Sequence, residues 1–589
     1  MDSGTGNVKI THHVKFLPTK FPLLKIGDTS AHHHSFTLVP NETETLPIKD
    51  NAILNDPNIQ SEEEISQKNL KNPLIQTQQP SVKRYLWVPE NESIPQNEIL
   101  GDVSYPRNIL THQRQQKHYA NLADNLSLNP KTYQEAINRS DSQEWQNAIK
   151  VELTNMTTHN VWSPARTDQN IKPLSTTWVF KQKTDEDGNL SKYKARQCIR
   201  GFNQKEGIDY LEVFSPTGRL SSLRLLLTLF HIHKYPIEQM DVGCAFLNGK
   251  PEETLHIFRP PGYFEYPETD IFVLNKSLYG LKQSPCCWHK VLKNTLISIG
   301  LTPCFTDPCL FYSQDRSNAF LLFIHVDDLI FGGTWNEKFK NQIKTFFEME
   351  DLGNVKYALG IRIKQNKEYI SLIQDKFVHQ ILTEFNVNQV QPPSAPLPSN
   401  YKDLKNLEGK PVEPPPFNFR RAVGLIQYLV QCTQTDLSFA TSFLSQFLEN
   451  PKYEHYKAVV HTLKYLSGTR QFTLNLGRNL MIHPDSQIYG FTNSDWGGGT
   501  EKKSFSGSLF YFHGALGWRA HKQKVVALSS AKAEYNALTK SAQDLSCIKQ
   551  LIYESTNKEV SCILHSDNKS AIAIASNPIY HHRTRNIDF

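Results

Sequence analysis

The chain has 589 residues, 39% hydrophobic and 11% aromatic, with a formal net charge of +6. That length exceeds one core and predicts three or four folded units, and the mild basic excess permits a polyanionic partner without demanding one. Every apolar run falls short of the ~18 residues a membrane span needs and the N-terminus has no signal-peptide core, which speaks against membrane and secreted classes.

Residues 1–125 are rich in Asn, Gln, Pro, Ser and Glu and poor in periodic apolar positions. Such a segment buries too little surface to offset its chain entropy, so a mostly disordered spacer is predicted. The run His32–His34 lies in it without partner ligands and reads as incidental. Order is predicted from residue 126. Ala136, Ile137, Trp145, Ala148, Ile149 and Leu153 recur at helical spacing, giving an amphipathic helix pair. "TTWVFKQKTDEDGNLSKYKARQCIRGF" reads as a hairpin around a "DEDGN" turn. "SSLRLLLTLFHIH" reads as a helix, and "IEQMDVGCAFLNG" as a strand ending in a polar turn. Residues 389–417 are Pro-rich and read as a linker or long loop, and the following segment is helical with a break near "TQTD". From about Ile488 come strands "IYGFTNSDW" and "SGSLFYFHGALGW", a long helix, strand "VSCILHSDN" and helix "KSAIAIASN", the order of a compact α/β unit.

The nine cysteines, at 198, 244, 286, 287, 304, 309, 432, 547 and 562, include no Cys-x-x-Cys pair, and no His accompanies them at zinc spacing. Reduced thiols in a cytosolic or nuclear protein are the simplest reading.

Two groups of acids stand out. In "FLLFIHVDDLIFGG" two apolar runs meet at Asp327 and Asp328, which suggests a hairpin with the acids at its tip. A plain turn explains two aspartates, whose side chains hydrogen-bond nearby backbone. The apolar flanks point to a cation site as the alternative: next to buried surface their repulsion would raise one pKa, and Mg²⁺ would relieve it. Asp241, in the strand "QMDVGCAFLNG", could complete a cluster of three carboxylates for two Mg²⁺ ions, with Mn²⁺ as a substitute. The second group is Asp495 at a strand end, Glu534 in a helix, Asp567 after a strand and Asp588 near the C-terminus. Acids at strand ends and on helix surfaces are common, so spacing alone leaves a solvated surface as the simpler reading.

The ordered series "TTWVFKQK", "KYKARQCIRGFNQKEGIDY", "QMDVGCAFLNG", "SLYGLKQSP", "FIHVDDLIFGG", "EMEDLGNVKYALGIRI", "LSQF" and "LKYLSGT" resembles the copia-type retrotransposon polyproteins. Each motif is weak, but the set in this order is specific. The resemblance covers residue 126 to the C-terminus and implies reverse transcriptase followed by ribonuclease H. The implied fold is an α/β and α+β multidomain chain: a right-hand polymerase of fingers, palm and thumb, then a ribonuclease H-like α/β domain. Its expected units are fingers and palm at 126–388, linker and helical thumb or connection at 389–485, and the ribonuclease H-like domain at 486–589.

The resemblance also implies roles. Asp241, Asp327 and Asp328, with the Val242 backbone, would bind metal. Phe246 would pack under the incoming sugar, or be an ordinary core aromatic. Lys181, Lys194 and Arg196 would meet the triphosphate, or form a solvated strand face. Gln283 and Ser284 would be polar contacts in the nucleotide and template pocket. Leu359, Gly360 and Ile361 would grip the primer end. "SDWGG", "GWRAHKQ", "ALSSAKAEY", "SDNKSAI" and "HRTRNID" follow the ribonuclease H order and cast Asp495, Glu534, Asp567 and Asp588 as its metal set. The implied partners are an RNA template, a DNA primer, RNA/DNA hybrid and deoxynucleoside triphosphates, in cytoplasmic virus-like particles or the nucleus and without a membrane.

Several positions depart from the family pattern. His325 stands where Tyr is usual and would touch the primer end or incoming nucleotide. Cys286 replaces an Arg, "TQTD" lacks an Arg-Pro, Lys532 replaces an acid and Asn586 replaces a His. The sequence ends at Phe589, before the helix expected behind Asp588. These departures support a rival reading, a non-catalytic nucleic-acid-binding remnant of a degraded element, and a nuclease-only protein is a third.

Overall fold

The computed structural model describes residues 129–576 apart from 167–171, 185–189, 316, 318, 388–390, 478–486 and 499, together with two short strands nearer the N-terminus. Those strands are β1 (Lys9–Thr11) and β2 (Leu23–Lys25). The remainder of the expected spacer, the "DEDGN" turn, Asn586 and Asp588 lie outside the described residues.

The first described helices are α1 (Tyr133–Asn138), capped by the Thr132 hydroxyl accepting from the Glu135 amide, and α2 (Ser142–Thr158). After β3 (Trp162–Pro164) comes the hairpin of β4 (Thr176–Thr184) and β5 (Leu190–Ile199). The alternation of a strand splits this hairpin into two faces. Phe180 and Tyr193 pack edge-on against the fully buried Trp145 of α2. Lys181, Lys183, Lys192, Lys194 and Arg196 alternate with these apolar positions and take the opposite face.

Next come α3 (Leu220–His233) and β6 (Ile237–Val242). Then β7 (His256–Phe258) and β8 (Ile271–Leu274) join β3 in a small antiparallel sheet. The central region continues with α4 (Ser284–Ser298), β9 (Leu301–Pro303), β10 (Leu310–Ser313), β11 (Phe320–His325), β12 (Asp328–Gly333), α5 (Asn336–Ile343) and β13 (Met349–Asn354). Its sheet runs β13-β6-β12-β11-β10-β9, antiparallel throughout. The apolar runs around Asp327 and Asp328 are its central strands, with Leu322, Phe323, Leu329, Ile330 and Phe331 fully buried.

A further sheet is built from β14 (Tyr357–Ala358), β15 (Ile361–Gln365), β16 (Ile370–Ile373) and, after α6 (Asp375–Glu384) and six further helices or 3-10 turns, β17 (Phe472–Leu476), to which β2 adds. The intervening helices are α7 (Phe419–Cys432), α8 (Ser438–Leu444) and α9 (Tyr453–Thr469), with the expected break a short 3-10 turn at Thr435–Leu437. The Pro-rich stretch is not a free linker. Leu397 and Leu404 are buried, the carbonyls of Pro396 and Ala395 meet Thr462 Oγ1 and His461 Nε2 of α9, and the Leu404 carbonyl meets His455 Nε2. Apolar side chains placed among the prolines give the segment something to bury, and it lies along the helix it would otherwise only connect to.

The last unit has β18 (Gln487–Ser494), the hairpin β19 (Phe505–Tyr511) and β20 (Ala515–Lys522), α10 (Ser530–Thr556), β21 (Ser561–His565) and α11 (Lys569–Ser576). The run "SGSLFYFHGALGW" is thus two strands, turned at His513 and Gly514, which both have positive φ. The sheet order is β1-β21-β18-β19-β20, parallel from β1 to β18 and antiparallel beyond.

This unit shares one continuous apolar core with the elements before it. Leu226 and Phe230 of α3, Leu425 and Leu429 of α7, and Ile488, Leu545 and Leu564 of the last unit belong to the same buried cluster. Polar ties cross the same boundary: Trp518 Nε1 donates to the Val430 carbonyl at 2.9 Å, and the Glu554 carboxylate accepts from the Thr306 amide and hydroxyl at 3.1 and 2.9 Å. Among the described residues no helix is long and apolar enough to cross a membrane.

Candidate functional site

The six-stranded sheet places acids in register. His325 and Asp328 are the last pair of the β11–β12 ladder, so Val326 and Asp327 form a two-residue turn. Val326 has φ of 61°, a left-handed conformation that a β-branched residue strongly resists. Two bonds hold it there: Trp288 Nε1 of α4 donates to the Val326 carbonyl at 2.6 Å, and the Val242 amide donates to the Asp327 carbonyl at 2.9 Å. The turn is therefore fastened to α4 on one side and to the end of β6 on the other, a form of stored strain common at functional sites.

Across the sheet, Asp241 of β6 stands directly opposite Asp328 of β12. On its other side it stands opposite Glu350 of β13. Directly paired residues share a face, so Glu350, Asp241 and Asp328 make a row of three acids over three adjacent strands. Like charges so placed are destabilising. Burial first, and then the Asp327 charge, push the Asp241 carboxyl up to about 6, while Lys194 and Lys183 pull the other way. The reverse influence is visible at Lys194, lowered to about 8 by burial first and then by Arg196 and Lys183, with Glu152 and Asp241 opposing. The cationic face of the β4–β5 hairpin thus looks onto the acids.

Arg196 lies over the Tyr279 ring at 5.1 Å, and Tyr279 meets Phe246 edge-on at 5.2 Å. Three predicted or newly found residues thereby form a stack from the hairpin to the 3-10 turn after β6. Lys183 and Glu350 went unnamed in the sequence reading, although the alternating "KQK" and the charged strand "MED" carried the signal.

Other assignments change. Gln283 and Ser284 are 2% and 1% exposed. Gln283 donates to Glu253 Oε2 and the Asp209 carbonyl and accepts from Gln204, while Ser284 donates to the Leu278 carbonyl. Their polar atoms shape the walls of the site and do not line it. His325 is 4% exposed, so a primer contact through its side chain is not supported. Cys286 is buried too, its thiol pushed up by burial. Leu359 and Gly360 form the turn between β14 and β15, with φ of 51° and 73°, and Tyr428 Oη of α7 donates to the Leu359 carbonyl at 2.7 Å. A Cβ on Gly360 would lie 2.2 Å from that hydroxyl oxygen, so glycine is required for close approach as well as for φ. Ile361 is 2% exposed and belongs to the core.

The last unit gathers a second acidic site. Asp495 follows β18, Glu534 lies in the second turn of α10 and Asp567 follows β21. Glu534 is 5% exposed; its Oε1 accepts from the Ser494 amide at 3.0 Å and its Oε2 is buried without a partner. Burial, followed by the charges of Asp567 and Asp495, raises its carboxyl to about 7. Asp495 is exposed, and its Oδ1 accepts from the Phe505 amide. A Cβ on Gly498 would strike Asp495 Oδ2, which reserves the space beside it.

Both donor sets suit a hard divalent cation: crowded carboxylates, one with an orphaned buried oxygen. Among the described residues, however, no three His, Cys, Asp or Glu side chains close into a ready-made cage. The acids are electrostatic neighbours in an open arrangement.

Residues 159–399 match the family described as "Reverse transcriptase (RNA-dependent DNA polymerase)". The "Retrovirus-related Pol polyprotein from transposon TNT 1-94" of Nicotiana tabacum is 33% identical over 476 residues, covering 78% of this chain and 35% of that protein. The "Retrovirus-related Pol polyprotein from transposon RE2" of Arabidopsis thaliana is 29% identical over 462 residues, covering 77% of this chain and 31% of that one. The chain thus spans about a third of the length of these curated relatives. A solved foamy viral protease-reverse transcriptase in complex with ds DNA is similar at a TM-score of 0.39 and 13% identity, over 74% of this chain and 64% of that one.

Proposed function

The chain belongs to the copia-type retrotransposon Pol polyproteins and carries their reverse transcriptase domain, and from that premise we propose that it copies an RNA template into DNA and degrades the RNA of the resulting hybrid. The observation that carries the first activity is the pairing of Asp241 with Asp328 beside Asp327. Asp241, Asp327 and Asp328, with the Val242 backbone, would hold Mg²⁺. The bound cations supply a lowered pKa for the primer 3′-hydroxyl and charge neutralisation at the triphosphate.

In the reaction the 3′-oxygen would bond to the α-phosphorus, the α–β bridging bond would break with pyrophosphate as the leaving group, and the hydroxyl proton would pass to solvent water. The chain's own residues orient the reactants. The cationic face bearing Lys181, Lys183, Lys194 and Arg196 attracts the triphosphate. Phe246, backed by Tyr279, offers an aromatic surface to the sugar. The turn at Leu359 and Gly360, fixed by Tyr428, addresses the primer strand. Asp495, Glu534 and Asp567 would hold the cations of the ribonuclease H centre, the orphaned Glu534 Oε2 being a ligand atom in waiting.

Primer extension on a poly(rA)/oligo(dT) substrate with Mg²⁺ tests the polymerase. Loss of extension in the double variant Asp327→Asn, Asp328→Asn is expected; undiminished extension would overturn the assignment. The replacements at Cys286 and Asn586 favour a second reading, a nucleic-acid-binding remnant without turnover. Tight hybrid binding with neither extension nor cleavage would select it.

A further inference from the structure

Gln523 is the last residue of "GWRAHKQ". It follows β20, is 6% exposed, and its amide nitrogen Nε2 donates to three oxygens: the Ala533 carbonyl at 2.8 Å, Ser506 Oγ at 2.9 Å and Ser494 Oγ at 3.1 Å. A carbonyl can only accept, so the Ala533 contact fixes which end of the amide is nitrogen. Two hydrogens serving three acceptors require one to be shared. The backbone amide of Gln523 donates to the Ser504 carbonyl at 2.7 Å, which anchors the side chain's root.

Each partner leads to an acid. Ser494 immediately precedes Asp495, and its amide holds Glu534 Oε1. Ala533 immediately precedes Glu534 in α10. Ser506 neighbours Phe505, whose amide holds Asp495 Oδ1. One buried amide group therefore ties the end of β18, the start of β19 and the beginning of α10 together.

We infer that Gln523 is a positioning residue of the second carboxylate site, setting the separation of Asp495 and Glu534 by clamping the strand end that bears one to the helix turn that bears the other. The inference rests on the ribonuclease H reading of that site. Gln523 touches neither substrate nor cation. An apolar replacement would leave the Ala533 carbonyl, Ser494 and Ser506 without this donor, and the helix would be free to shift against the sheet.

The test compares the full chain with Gln523→Met and the isosteric Gln523→Glu, which keeps the size but lacks the N–H donors. Terbium binding is read by luminescence sensitised through the exposed Trp496 beside Asp495, alongside kcat and KM for RNA/DNA hybrid cleavage in Mg²⁺. Melting of the metal-free protein controls for folding. Both variants are expected to bind terbium about 10- to 100-fold more weakly and to lose kcat by a similar factor at unchanged KM. Terbium affinity and kcat within about twofold of wild type in a folded variant would overturn the inference, and so would a KM effect alone. A wild type that binds terbium without cleaving hybrid removes the ribonuclease H reading; weakened terbium binding by Gln523→Glu then still supports the positioning role. A wild type that does neither overturns both.

Discussion

The guanidinium of Arg224 in α3 sits over the ring of Trp518 in β20, 4.1 Å from its centroid, and so joins α3 to the last unit through a buried cation–π contact. Its Nη2 donates to the Gln431 carbonyl at 2.8 Å, while Nε and Nη1 are buried without hydrogen-bond partners. Burial pulls the guanidinium down to about 10, which still leaves it charged at neutral pH.

Two substitutions separate packing from charge at this contact. Trp518→Ala removes an indole from the shared core together with its bond to Val430, and should cost roughly 2–4 kcal/mol in urea unfolding. Arg224→Met removes a poorly paired buried charge of similar volume and should leave stability within about 1 kcal/mol of wild type.

Asp327→Asn should lower primer extension by about 10²–10³-fold, the scale set by losing one preorganised electrostatic group. It should also move a neighbour. The Asp327 charge contributes to holding Asp241 at about 6, so neutralising it should bring the Asp241 carboxyl down toward the ordinary range. Carbon-detected NMR titration of Asp241 reads this apart from activity.

Gly360→Ala should be destabilising by about 1–3 kcal/mol, because the new methyl meets the Tyr428 hydroxyl and φ stays at 73°. Adding Tyr428→Phe removes the atom that is struck and should recover part of the loss, but not all, since the left-handed backbone remains. Melting temperatures of the three variants check the order. Full recovery would show that backbone strain at this turn is negligible.

His289 of α4 supplies a pH dependence. Burial, and then the Lys293 charge, lower its imidazole to about 4 from an ordinary value near 6.5. A histidine lowered in the folded state favours the fold while neutral. Its contribution is therefore intact above about pH 6.5 and drains away as pH falls toward 4. His289→Leu should flatten the fall in melting temperature between pH 7 and pH 4.5. An unchanged slope would mean that other groups carry it.

Local patterns announced most of the elements. The apolar runs around "VDD" are sheet strands because alternate residues on both faces are buried, and the Leu-rich run at 220–233 is a helix by the same economy of burial. Asp241 and Asp328 were separately legible, but their direct pairing depends on ladder register, which no local stretch encodes. Glu350 was missed for that reason: its strand becomes part of the site only by lying beside β6. Gln283 and Ser284 looked like pocket contacts because they are polar, whereas partners far off in sequence, such as Gln204 and Glu253, absorb their hydrogen bonds. The Pro-rich stretch misled in the opposite sense, since prolines concealed the two leucines that anchor it to α9.

The common core has a consequence for how copies of such a gene decay. Leu226 and Phe230 are covered together with Ile488, Leu545 and Leu564, so a nonsense mutation anywhere from residue 487 to 564 would strip cover from α3 as well as delete the last unit. A lineage could not shed that unit first and keep the remaining core sealed. Truncation would unseal both at one stroke, whereas missense changes at the acids would leave the fold standing.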